Sequence, residues 1–145
     1  MKYSILYILF LGMVLSCSKS DDGYVDNPYL PDYGFDTGNQ INITLPEYNN
    51  LLVNGGHVEL YGFGINGISV YRNGDTFISF ELTDPNHNVS TCSKLIVEGI
   101  IASCNCSDGN NYDIVTGYPH SGTEGQYTLV PYRVEVSGNI IRVYN

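Results

Sequence analysis

The sequence predicts an all-β, antiparallel fold of the sandwich or barrel type behind a short N-terminal export segment. Short stretches of alternating apolar and polar residues follow one another between Ile41 and Tyr144, and alternation with a period of two is typical of half-buried strands. Asn-Gly and other Gly-containing turns separate these stretches, and the chain has 16 glycines. A length of 145 residues is enough for one domain with a modest core.

The first residues have the features of an export signal. Lys2 precedes an apolar run that is too short for a stable transmembrane helix. Val14 stands three residues before Cys17 and the small Ser16 directly before it, so the end of the run resembles the lipobox of bacterial lipoproteins. We predict a lipoprotein signal peptide over residues 1–16 and palmitate or a related acyl chain on Cys17, each buried CH₂ of which contributes about 0.8 kcal/mol to membrane binding. An ordinary secretory signal with a coincidental cysteine is the alternative.

The segment over residues 17–40 is predicted to be a lipidated, flexible tether. It contains an acidic pair, Asp21 and Asp22, and two prolines, Pro28 and Pro31, and it has no hydrophobic period. An acidic pair soon after a lipidated cysteine resembles the surface-export signal of Bacteroidetes lipoproteins. We therefore expect a lipid-anchored protein of the cell envelope, at the outer membrane, facing the periplasm or the cell exterior.

The charge of the chain excludes nucleic acid as a partner. The formal net charge is −9, the basic residues are scattered singly, and loss of Lys2 with the signal makes the mature chain more acidic. Nucleic-acid binding needs clustered Lys and Arg residues that displace counterions. The expected partners are the membrane, through the lipid anchor, and a protein of the cell envelope.

The β domain is predicted to span residues 41–145. Turns at residues 73–75, 98–99 and 137–139 connect neighbouring strands and predict three hairpins. The predicted strands cover residues 41–45, 57–61, 68–72, 76–82, 95–97, 100–104, 132–136 and 140–144.

Three cysteines follow the predicted lipidation site. They are Cys92, Cys104 and Cys106. Export implies a compartment in which disulfides persist. Three cysteines can form only one intramolecular pair, so one thiol is left over, and the spacing alone does not say which.

A loop motif and a closing hairpin stand out in the second half of the chain. The loop begins Cys104-Asn105-Cys106-Ser107 and ends with Tyr112-Asp113, and the hairpin covers residues 129–140. Both resemble the Rieske domain, and in particular the Rieske-like lipoproteins of Bacteroidetes, whose loop reads C-P-C-H-G-S-x-F/Y-D. The resemblance implies a Rieske-like sandwich or barrel with a small, loop-rich subdomain of the cluster-binding type. Rieske domains hold a [2Fe–2S] cluster with two cysteines on one iron and two histidines on the other.

Most of the ligand positions implied by this resemblance are changed. Asp84 stands at the first cysteine position, and Asn86 stands at the first histidine position unless a shift of one residue brings in His87. Cys104 keeps the second cysteine, whereas Ser107 replaces the second histidine. Because a carboxylate is a poor substitute for a thiolate on a sulfide cluster, we predict that no cofactor is bound. Two alternatives stay open: a [2Fe–2S] cluster with unusual ligands, and a single metal ion held by Cys104, His87 and Asp84.

The resemblance also implies a disulfide. In disulfide-bearing Rieske domains, a cysteine after the first loop pairs with the middle cysteine of the C-P-C-H loop. Cys92 and Cys106 occupy these positions. A bridge that closes a loop of this length contributes roughly 3 kcal/mol in the chain-entropy model.

These observations predict a membrane-anchored lipoprotein whose degenerate Rieske-like domain has a structural or interaction role. One alternative is an electron-transfer protein that carries a [2Fe–2S] cluster on unusual ligands. Another is a ligand- or glycan-binding surface module, for which the 13 tyrosines would supply aromatic surface, although tyrosines on strands more often pack with the hydroxyl at the rim. Enzymatic activity is not predicted, because the sequence contains no nucleophile elbow, P-loop or H-E-x-x-H motif.

Overall fold

The structure is a computed structural model that describes residues 27–145. The predicted signal peptide over residues 1–16 and the predicted lipidation site Cys17 lie outside the described residues. Within residues 27–145, no helix is both long enough and apolar enough to cross a membrane.

Nine strands and one 3₁₀ helix form the described domain, and all strand pairs are antiparallel. This confirms the predicted all-β, antiparallel class. The strands are β1 (Ile41–Asn42), β2 (His57–Leu60), β3 (Ile68–Asn73), β4 (Thr76–Glu81), β5 (Leu95–Glu98), β6 (Ile101–Cys104), β7 (Asn111–Asp113), β8 (Pro131–Ser137) and β9 (Ile140–Tyr144), and the 3₁₀ helix covers Pro46–Leu52.

The strands form one large and one small sheet. The large sheet has six strands in the order β1-β9-β8-β4-β3-β2, and the small sheet has three in the order β5-β6-β7. Tight turns connect the two strands within each predicted hairpin. Asn73 pairs with Thr76 across a two-residue turn in which Gly74 has a φ of 63°, a conformation that glycine adopts without steric cost. The small sheet and the loops around it form the predicted loop-rich subdomain.

Two hydrophobic clusters hold the sheets in place. One cluster joins the large sheet to the 3₁₀ helix, and the other packs the small sheet against β3 and β4. The first consists of Ile41, Leu51, Leu60, Ile68, Val70, Ile141 and Val143, and the second of Tyr71, Phe80, Leu82, Leu95, Ala102, Tyr112, Ile114 and Leu129. Because Leu82 and Tyr112 belong to the second cluster, the segments around Asp84 and the loop after Cys104 have fixed positions.

Local polar contacts explain where the elements differ from the predictions. Strand β1 is shorter than predicted, because the Asn42 side chain accepts a 3.0 Å hydrogen bond from the Thr44 backbone N–H and turns the chain. The 3₁₀ helix was not predicted, although Pro46 at its first position favours a helix start. Strand β7 was also missed, since three residues carry too little pattern to indicate a strand.

Residues 27–40 pack on the domain, which differs from the flexible tether predicted for residues 17–40. Leu30 is buried, and the Phe35 ring lies edge-on against the Tyr132 ring with centroids 4.6 Å apart. The Thr37 backbone N–H donates a 2.9 Å hydrogen bond to the Val143 carbonyl. The segment packs because its apolar side chains are buried, and the two prolines that suggest a tether do not prevent this burial.

Candidate functional site

Three loops converge at one end of the small sheet. The first loop (residues 82–94) joins β4 to β5, the second (residues 105–110) joins β6 to β7, and the third (residues 114–130) joins β7 to β8. A disulfide between Cys92 and Cys106 links the first two loops, with Cα atoms 4.9 Å apart. The pairing is the one that the Rieske resemblance implies, and it leaves Cys104 as a free thiol.

Asp84 is the buried centre of these loops. Its side chain has no exposed surface. Oδ1 accepts hydrogen bonds from the Tyr112 hydroxyl at 2.6 Å and from the Asn86 backbone N–H at 2.8 Å. Oδ2 accepts one from the Asn110 amide at 3.0 Å. The carboxyl group of Asp84 is thus bound by three donors of its own chain.

Asn86 ties the first loop to the third. Its amide nitrogen donates to the Tyr127 carbonyl and to the Tyr112 hydroxyl, both at 2.9 Å, and its oxygen accepts from the Tyr127 N–H at 2.9 Å. The Asn86 amide thus bonds with both the N–H and the carbonyl of Tyr127, as a residue on a neighbouring strand would do. A neutral imidazole offers at most one donor and one acceptor, so a histidine at this position could not make all three of these hydrogen bonds. Asn86 therefore acts as a structural bridge between the loops.

The hydroxyl of Tyr112 lies between the side chains of Asp84 and Asn86 in the first loop. Burial, followed by the neighbouring Asp84 carboxyl group, raises the pKa of Tyr112 well above its usual range. The phenol therefore stays protonated at physiological pH and can donate to Asp84 while it accepts from Asn86.

A second group of polar atoms lies next to this network. The Nε2 atom of His87 is 3.3 Å from the Cys104 Sγ, 3.2 Å from Asp108 Oδ2 and 3.6 Å from Asp84 Oδ2. The ligand atoms of His87, Cys104, Cys106 and Asp108 all lie within 4.8 Å of one another. The first loop, the end of β6 and the second loop therefore bring together the His87 imidazole, the Cys104 thiol and the Asp108 carboxyl group, with the Asp84 carboxyl group 3.6 Å from Nε2.

The free thiol of Cys104 is protonated in this environment. Burial, partly offset by the Cys106 backbone N–H and supported by the neighbouring Asp84 and Asp108 carboxyl groups, raises the pKa of the Cys104 thiol to about 12. That N–H lies 3.4 Å from the sulfur. Without a cation nearby, Cys104 is therefore a weak nucleophile, since the thiolate is the reactive form.

The structure brings some of the predicted site residues together and separates others. Asp84, His87 and Cys104 meet as the single-metal alternative requires. Asn86 faces the third loop instead, so the histidine that faces Cys104 is His87. Ser107 is exposed, and it lies outside both the Asp84 network and the His87 group.

The residues of this site do not fit a Rieske cluster. Such a cluster needs two thiolates and two imidazoles. Among the described residues, the group of side chains around Asp84 and His87 offers one free thiol, Cys104, and one imidazole, His87, because Cys92 and Cys106 are joined to each other. Asn86, at the predicted first histidine position, is held by hydrogen bonds to Tyr127 of the third loop.

Two functional residues were missed by the sequence analysis. Asp108 completes the group around His87, and Asn110 places both carboxyl groups, since its amide nitrogen is 3.0 Å from Asp84 Oδ2 and 3.4 Å from Asp108 Oδ2. An aspartate and an asparagine in a polar loop give no distinctive signal. The Tyr112-Asp113 pair that follows them marks this loop only through its resemblance to the Rieske motif.

A groove of about 1000 Å³ borders the third loop. Exposed Tyr33 and Tyr118 contribute to its lining, and so does Tyr127, whose backbone bonds with Asn86. None of the five predicted ligand positions lines this groove. The aromatic surface considered for a glycan- or ligand-binding module therefore lies next to the loop site and does not include its predicted ligand positions.

The comparisons with known proteins find a likeness among the solved structures. No family model matches the chain, and no curated protein matches it. A solved structure described as the complex of reduced oxygenase and oxidized ferredoxin in carbazole 1,9a-dioxygenase contains a chain similar to this one. The two are 26% identical, the match covers 63% of this chain and 82% of that chain, and the TM-score is 0.44.

Proposed function

We propose that this protein is a cell-envelope lipoprotein whose Rieske-like β domain binds no [2Fe–2S] cluster and serves as a structural or interaction module. The observation that carries the proposal is the internal bonding of Asp84 and Asn86. Two positions that hold cluster ligands in the Rieske pattern instead fasten the first loop to the second and third loops. The hydrogen bonds give these residues a structural role that does not depend on a cofactor.

The disulfide supports the same proposal. It holds the first and second loops together at Cys92 and Cys106, and the hydrogen bonds of Asp84 and Asn86 join the same loops at other points. A domain whose loops are tied in this way needs no metal cluster to fold. The likeness to Rieske domains rests on the loop motif from Cys104 to Asp113 and on the hairpin that closes the chain.

Cluster reconstitution tests the proposal. The full-length protein, purified in detergent with its disulfide intact, is incubated anaerobically with ferrous iron and sulfide and then desalted. The account predicts no stable visible absorption, because a [2Fe–2S] cluster is coloured through charge transfer from its cysteine thiolates to iron and none is expected to form. A stable brown protein with such bands would favour the electron carrier.

Anchoring is supported by the sequence around Cys17 and is tested separately. Cys17→Ala should abolish incorporation of labelled acyl chains and move the protein out of the membrane fraction, since the proposed attachment is covalent. Ser16→Ala, which keeps a small residue before the cysteine, is the matched control and should leave both readouts unchanged. An acylated Cys17→Ala protein in the membrane fraction would contradict the anchor.

A further inference from the structure

We propose that His87, Cys104, Asp108 and Asp84 form a mononuclear site for a divalent cation of the zinc type. The inference deepens the proposed function and rests on its claim that no [2Fe–2S] cluster occupies these loops. It assigns the site a different occupant, one metal ion that fastens the first loop to the second beside the disulfide.

The first argument is the orientation of the His87 ring. Its Nδ1 atom lies 2.9 Å from the Asn88 carbonyl oxygen. A carbonyl oxygen only accepts hydrogen bonds, so Nδ1 carries the hydrogen, and in the neutral ring Nε2 presents a lone pair. That lone pair faces the sulfur and the two carboxyl groups. A backbone carbonyl that fixes the far nitrogen is the usual outer contact of a metal-bound histidine.

The second argument is the excess of electron-pair donors. Nε2 of His87, Sγ of Cys104 and Oδ2 of Asp108 meet within 4.8 Å of one another. The Cys104 sulfur and two carboxyl groups lie within 3.6 Å of Nε2, so one hydrogen on Nε2 cannot serve all three of them. A metal cation at the centre contacts all of these groups at once, which a hydrogen on the ring or on the thiol cannot do.

The third argument is the set of distances. Tetrahedral zinc with ordinary bonds to nitrogen, sulfur and oxygen separates its ligand atoms by about 3.3–3.6 Å. The observed separations from Nε2 are 3.3 Å to Cys104 Sγ, 3.2 Å to Asp108 Oδ2 and 3.6 Å to Asp84 Oδ2. Sulfur, nitrogen and carboxylate oxygen together favour zinc over calcium or magnesium, which prefer oxygen ligands.

Hydrogen bonds from neighbouring residues also hold the proposed ligand side chains in place. The Asn110 amide nitrogen lies 3.0 Å from Asp84 Oδ2, which retains a second lone pair, and the Asn110 backbone N–H donates to Asp108 Oδ1 at 3.1 Å. The Cys106 backbone N–H lies 3.4 Å from the Cys104 sulfur. Cys106 itself is excluded as a ligand because its sulfur is in the disulfide. Binding converts the Cys104 thiol to a zinc-bound thiolate, and the thiol proton is released to solvent.

Metal titration of the full-length protein in detergent, with the disulfide intact, tests the inference. After dialysis against ZnCl₂ and then metal-free buffer, mass spectrometry should find one zinc ion per chain. Replacement by Co²⁺ should give a sulfur-to-cobalt charge-transfer band in the near ultraviolet, and Cys104→Ser should remove that band. His87→Ala and Asp108→Asn should weaken zinc binding by at least about tenfold, in competition with a chelator.

Two variants serve as matched controls. His120→Ala removes an exposed histidine of the third loop, and Asp75→Asn removes an exposed carboxylate of the β3–β4 turn; both should bind zinc as the wild type does. If Cys104→Ser does not fold, Asp108→Asn decides, because its side chain is 18% exposed and its replacement needs little repacking.

Three results would overturn the inference: no retained zinc, zinc retained equally by the ligand variants, or cobalt bound without the charge-transfer band. Iron and acid-labile sulfide are measured in the same samples. A sample with neither zinc nor iron contradicts the zinc site alone, whereas iron with sulfide contradicts the proposed function as well.

Discussion

The hydroxyl of Tyr112 donates a 2.6 Å hydrogen bond to Oδ1 of Asp84, and both side chains are fully buried. The bond crosses from β7 to the first loop. Because burial of a carboxyl group is costly unless donors surround it, the phenol, the Asn86 N–H and the Asn110 amide are what allow an aspartate at this position. Tyr112 is therefore a structural partner of Asp84.

Removal of that hydroxyl should destabilise the domain. Tyr112→Phe leaves Asp84 Oδ1 and the Asn86 amide each without one partner, so the free energy of unfolding should fall by about 1–3 kcal/mol. Tyr144→Phe is the matched control, since its hydroxyl donates to the exposed Glu135 carboxylate; its loss should be smaller. Urea unfolding measures both. Equal losses in the two variants would mean that the Asp84 network contributes nothing beyond a surface hydrogen bond.

Alanine substitutions at two glycines of the third loop distinguish a steric clash with Asn86 from backbone strain alone. Gly122 and Gly125 have φ values of 98° and 102°, so alanine is strained at both. A Cβ at position 125 would lie 2.7 Å from the Asn86 Cβ, whereas one at position 122 has no neighbour within 4 Å. Asn86 is held by hydrogen bonds and cannot yield. Gly125→Ala should therefore lower the free energy of unfolding by about 1–3 kcal/mol more than Gly122→Ala, as measured by urea denaturation; equal effects would show that Asn86 is free to move.

The disulfide should stabilise the domain by restricting its unfolded state. The Cys92–Cys106 bridge spans a sequence separation of 14 residues. Cys92→Ser combined with Cys106→Ser should lower the free energy of unfolding by roughly 3 kcal/mol. Peptide mass mapping of the wild type should show these two cysteines linked. Ser90→Ala, next to the bridge on the first loop, is the control. A wild type that maps with both thiols free would contradict the bridge.

The packing of residues 27–40 on the rest of the domain should weaken at acid pH. The Arg142 guanidinium, 2.7 Å from Asp36, and then the Gly38 backbone N–H lower the pKa of Asp36 to about 2. A carboxyl group whose pKa is lower in the folded state stabilises that state above its unfolded value, and the contribution is lost as the pH falls from about 4 to about 2. Asp36→Asn should therefore show a smaller drop in melting temperature across this window than the wild type. Asp75→Asn should keep the wild-type drop, and an unchanged drop in Asp36→Asn would rule out the pair as the cause.

The hairpins were predictable because their information is local. Alternation within β3 and β4 and the Asn73-Gly74 turn lie within a few residues of one another. The site was only partly predictable, because its contacts are distant in sequence. Asn86 bonds with Tyr127, 41 residues later, and Asp108 reaches His87 only because the disulfide and the Cys104–Asn110 backbone hydrogen bond close the second loop. The resemblance to the Rieske pattern predicts which ligand positions differ, but it does not show what the residues at those positions contact.

The central claim is that the loops hold no [2Fe–2S] cluster, and the most direct measurement is the iron and acid-labile sulfide content of the anaerobically purified full-length protein. The account predicts neither iron nor sulfide in stoichiometric amount, and no electron-paramagnetic resonance signal of a reduced cluster after dithionite treatment, because the site presents one thiol and one imidazole within residues 27–145. Equal amounts of iron and sulfide, with a rhombic signal after reduction, would contradict it.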